Sequence, residues 1–129
     1  MQQPPTIQPA PSPGPDYDPM DRLVQDLQNI ESFLLRLETN PKDLAYLQSH
    51  LSPILGLRRT ISQQLDKLSE EPYDYTPERL KKLHKDNEQV FIFLEGVVGS
   101  MNPINEQEFR RFLREAGKTL SDFDGDLTP

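Results

Sequence analysis

Apolar residues recur along this chain at alternating steps of three and four. Met20, Leu23, Leu27, Ile30, Leu34 and Leu37 form the first row. A second row runs through Leu44, Leu47, Leu51, Ile54, Arg58, Ile61, Leu65 and Leu68, and a third through Leu80, Leu83, Asn87, Val90, Leu94, Val97 and Met101. Residues at this spacing share one stripe of an α-helix, and a stripe of that kind needs another helix to cover it. Arg58 and Asn87 are the polar intruders. A polar residue at such a position costs stability and fixes register, whereas an arginine can also snorkel out or mark where its helix leaves the core.

Start and stop signals divide the rows into helices. Asp18-Pro19 predicts a start, because aspartate accepts from orphan N–H groups and proline is tolerated in the first turn; this helix should reach about Glu38. Asn40-Pro41, with Asp43 in the first turn, repeats the signal after a link so short that the first two helices must be antiparallel neighbours. Ser52-Pro53 interrupts the second segment and predicts either a kink or two helices, 42–51 and 53–69; the unbroken heptad phase favours the kink. Glu71–Tyr75 reads as a connector, and Thr76-Pro77-Glu78 opens a helix that should span about 77–98 and stop at Gly99–Pro103. The last helix starts at Asn105, with Glu108 as a reciprocal capping-box partner and Ile104 packing on Phe109. Its stripe of Phe109, Phe112, Leu113, Ala116 and Leu120 continues toward Phe123 unless Gly117 ends it early.

The expected fold is all-α: a small up-down bundle with coiled-coil-like stripes, three long helices, one of them kinked near Pro53, and a short C-terminal helix. Residues 1–18 are expected to be an extended or disordered proline-rich arm, 19–123 the bundle and 124–129 an acidic tail. The arm follows from seven of the chain's 13 prolines falling before Met20, which removes donors and fixes φ. It lacks both a P-x-x-P register and a flanking arginine, so a disordered or partner-draped arm fits it better than a dedicated proline-groove ligand.

Composition narrows the chemistry. Only 34% of the 129 residues are hydrophobic, so the bundle is marginal alone or borrows burial from a partner. The net charge of -7 argues against a nucleic-acid surface as the default, and Asp16, Asp18, Asp124 and Asp126 concentrate the surplus at the ends. Without cysteine there is no disulfide, thiol chemistry or sulfur-ligated metal. No apolar run approaches a membrane span, and no signal peptide is recognisable, so a cytoplasmic or other intracellular setting, or a virion, is expected.

No catalytic constellation emerges. His50 and His84 are the two histidines, and neither has the neighbours that zinc ligation or general-base work requires. Asp122, Asp124, Gly125 and Asp126 mimic a calcium loop only loosely, and Gly117-Lys118-Thr119 lacks the upstream glycine and strand of a phosphate loop. No catalytic residue, cofactor, metal or small-molecule substrate is assigned. The third helix is the richest segment. Arg79, Lys81, Lys82 and Lys85 fill its first half, against the helix dipole, and are candidate contacts for an anionic partner or for an acidic neighbouring helix. Its second half is apolar on more than one side, making Phe91, Ile92, Phe93 and Val98, with Leu35 on the first helix, the candidate partner interface. The sequence thus points to a structural or adaptor subunit with a protein partner or self-association. The alternative is a small helical regulator touching nucleic acid through Arg79, Lys81, Lys82 and Lys85 or through Arg110, Arg111 and Arg114.

Overall fold

The computed structural model describes residues 18–40, 44–101 and 105–128. The proline-rich arm over 1–17, the helix-start signal at Pro41–Asp43 and the Ile104 staple lie outside them. Four α-helices make the fold: α1 (Pro19–Thr39), α2 (Leu44–Lys67), α3 (Pro77–Gly99) and α4 (Glu106–Leu127). Each packs on two others, in the ring α1–α2–α3–α4 closed by α4 on α1, and among the described residues no Cα atoms of a diagonal pair come within 8 Å. This is an all-α up-down bundle.

The caps form as their residue types dictate. Asp18 accepts from the Met20 N–H at 3.0 Å, Thr76 from Arg79 at 3.1 Å and Asn105 from Glu108 at 3.1 Å. The capping box closes on one side only, because the Asn105 N–H donates to the Ser100 carbonyl and Glu108 pairs with Arg111 instead. Pro53 lies inside one continuous α2, so the two-helix alternative is not adopted. α4 is not short: at 22 residues it passes through Gly117 and takes in Asp124–Leu127, where an acidic tail was expected. Phe123 and Leu127 explain the extension, since both are buried and continue the stripe from Leu120.

The stripes meet in the middle. Leu23, Leu27, Ile30, Leu34 and Leu37 of α1 are buried, with Ile54, Ile61 and Leu65 of α2 and Leu83, Val90, Leu94 and Val97 of α3. Each such side chain contributes about 1.5–3 kcal/mol when fully withdrawn from water. Asn87 stays on the core stripe at 2% exposure and donates from Nδ2 to the Arg58 carbonyl at 3.2 Å. Arg58 itself is exposed and pairs with Glu88, so it leaves the core as an ion-pair partner between α2 and α3. α3 and α4 approach closely at Gly96, where a Cβ would stand 2.5 Å from the Phe112 ring. The connector ties the start of α1 and the end of α4 together at one end of the bundle: Tyr73 Oη donates to Asp18 at 2.5 Å and Tyr75 Oη to the Leu127 carbonyl at 2.6 Å. The Asp18 carboxylate thereby holds the Tyr73 hydroxyl pKa up at about 12.

Candidate interaction surface

Antiparallel packing brings the start of α3 against the end of α4, and this accounts for Arg79 and Lys82 in the reversed charge order of α3. Arg79 stacks over the Tyr75 ring at 3.9 Å and donates to the carbonyls of Asp126, Leu127 and Thr128 at 3.2, 3.3 and 2.6 Å. It supplies donors to carbonyls that helix ends leave unsatisfied, in a last turn with no base of its own. Lys82 bridges Asp86 at 2.8 Å and Asp126 at 2.7 Å, and these bonds raise its pKa. Burial, reinforced by the nearby Asp126, pushes Asp86 up to about 6, while bonding to Asp86 and Lys82 holds Asp126 below the usual carboxylate range. Two of the four candidate anion contacts therefore serve the fold, whereas Lys81 and Lys85 point outward.

The candidate partner residues do not gather into one patch. Phe91 is 1% exposed and belongs to the core, and Phe93 and Val98 are half-buried, with Phe93 against Phe112 at a centroid distance of 6.4 Å. Ile92 is 49% exposed, between Glu88 and Glu95 on its own face of α3. Leu35, at 55%, sits on α1, the helix diagonal to α3. What surrounds Leu35 is a groove of about 620 Å³ between α1 and α4, which sequence reasoning missed.

This groove is built from a second heptad track on each helix. Val24, Gln28, Glu31, Leu35 and Glu38 step by four and three beside the core stripe of α1, and Arg110, Arg114, Gly117, Ser121 and Asp124 do so on α4. Antiparallel packing sets the C-terminal half of α1, with Glu31 and Glu38, beside the N-terminal half of α4, with Arg110 and Arg114, and Val24 shares a second hollow with Asp124 toward the other end. Leu27, Leu34, Leu113 and Leu120 form the floor, with Leu113 only half-buried. Val24, 39% exposed, also lines a second hollow of about 490 Å³ that extends the groove past Met20 to the Tyr73–Tyr75 connector. The α1 lip is acidic and the α4 lip basic in its first half. Among the described residues, Glu31, Glu38, Arg110 and Arg114 form no ion pair. The two tracks are present in the sequence, but Glu31 and Glu38 on one and Arg110 and Arg114 on the other interrupt them with charge, so neither reads as an apolar stripe.

Reactive groups are held in local contacts. His50 Nδ1 lies 3.0 Å from the Tyr46 carbonyl with its ring stacked on Tyr46 at 4.1 Å, and His84 lies 2.9 Å from Asp66 and 3.5 Å from Ser62. Burial raises the Asp26 pKa, opposed by the Arg22 guanidinium at 3.1 Å. Among the described residues no group of histidines and carboxylates is placed to hold a metal, and no helix is long and apolar enough to cross a membrane. No family model, curated protein or solved structure matches the chain.

Proposed function

We propose that this protein is a non-enzymatic structural or adaptor subunit that holds partner chains in a larger intracellular or virion assembly, with the α1–α4 face as its contact surface. One observation carries the reading: an open apolar groove runs along that face, with Leu35 and Val24 at its edge and charged lips that lack partners of their own. A groove with an apolar floor, two exposed apolar residues at its edge and a charged rim supports reading this face as a protein interface. For the nucleic-acid alternative, Arg79 and Lys82 are engaged with α4 and Arg111 with Glu108, which leaves Lys81, Lys85, Arg110 and Arg114 to an anionic partner.

The test is co-purification from the native source with the tagged parent and with Leu35→Asp. Leu35 is exposed, so the variant should fold, and recovery of the partner chain should fall by about tenfold or more, the equivalent of at least 1.4 kcal/mol. Equal recovery with both chains would contradict the proposal.

A further inference from the structure

We infer that the occupant of the α1–α4 groove is a second copy of this chain, related by a two-fold axis laid along the groove. The inference rests on the proposed role of this face and adds the identity of the partner. Its basis is the charge pattern of the lips. Such an axis carries α1 of one copy over α4 of the other, so each acidic lip lies over a basic one. An axis laid across the helices would set α1 on α1 and α4 on α4, acid on acid and base on base.

The charge order along the groove fits the first arrangement. Glu38 and Glu31 of one copy lie over the N-terminal half of the other copy's α4, which carries Arg110 and Arg114. This contact occurs twice in the pair, as a two-fold interface requires. Gly117 presents no side chain and has open space over its Cα, so the incoming α1 can approach α4 closely at the centre of the contact. The two Leu35 side chains then cover the half-buried Leu113 of the opposite copies. Asp124, at the far end of the α4 lip, shares the second hollow with Val24.

Sedimentation equilibrium of the full chain tests this, with charge exchange as the discriminating arm. The parent should be a dimer that weakens as ionic strength rises. Leu35→Asp should weaken it by at least about tenfold with unchanged far-UV circular dichroism. The double variant Glu31→Arg/Glu38→Arg and the double variant Arg110→Glu/Arg114→Glu should each be monomeric, because each carries two lips of one sign. Mixed in equal amounts, they should form a one-to-one heterodimer. A parent that stays monomeric up to millimolar concentration would overturn the inference, as would double variants that each dimerise like the parent. A monomeric parent whose native partner still depends on Leu35 would leave the broader adaptor role in place with a different chain in the groove. A dimeric parent with no Leu35-dependent partner chain in the native source would do the reverse.

Discussion

Lys82 of α3 reaches Asp126 of α4 at 2.7 Å while holding the buried Asp86 of its own helix at 2.8 Å, so one ammonium serves two carboxylates of opposite pKa shift. Asp86 is raised to about 6 in the folded chain, chiefly by burial. Its contribution to stability is therefore fully present below the unfolded value near 4 and is lost as pH rises through about 6. Asp126, shifted the other way, contributes above the unfolded value and loses that contribution as pH falls. Urea midpoints measured between pH 4 and pH 7 should decline more steeply in the parent than in Asp86→Asn. Parallel curves would show that Asp86 does not titrate in this window.

Arg79→Ala should destabilise the chain by about 1–2 kcal/mol, because it strips donors from three carbonyls at the end of α4 and removes the cation over Tyr75. Lys81→Ala and Lys85→Ala should stay within about 0.5 kcal/mol of the parent, since both side chains are exposed. Denaturant melts of the three variants make the comparison. Equal effects would place Arg79 on a solvated face.

Glycines in α2 and α3 should respond in opposite directions. Gly96→Ala drives a methyl into the Phe112 ring and should cost about 1–3 kcal/mol, more than the helix propensity it gains. At Gly56 the space is open, so Gly56→Ala should stabilise by about 0.5–1 kcal/mol. Thermal midpoints would read both. Stabilisation by Gly96→Ala would mean that α3 and α4 are further apart than described.

Asn87→Leu should raise stability by about 1 kcal/mol. The substitution replaces a buried amide whose Oδ1 lacks a donor among the described residues with an apolar side chain on the core stripe. A lower urea midpoint would show that the 3.2 Å bond to the Arg58 carbonyl is needed to hold α2 on α3.

The core stripes were legible because their spacing is sustained over whole helices: every α1 position from Leu23 to Leu37 on that row is buried. The caps at Asp18, Thr76 and Asn105 were legible for a local reason, since each depends on one residue type at one position. The length of α4 was harder to read. Gly117 and the aspartates at 122, 124 and 126 all disfavour helix locally, and burial of Phe123 and Leu127 overrides them. The role of Arg79 and Lys82 depended on which helix end lies beside the start of α3, which is a property of the packing. The groove depends on packing in the same way: the sequence grouped Leu35 with the apolar residues of α3, whereas α4 sets a second track beside it.

The central claim is that the α1–α4 face is the working surface, and amide hydrogen exchange on the chain within its native assembly tests it most directly. Compared with the dispersed, monomeric chain, exchange should slow along 24–38 of α1 and 110–124 of α4, with little change on the outer face of α3 around Lys81, Lys85 and Ile92. Slowing confined to that face of α3, with α1 and α4 exchanging as they do in the free chain, would contradict the account.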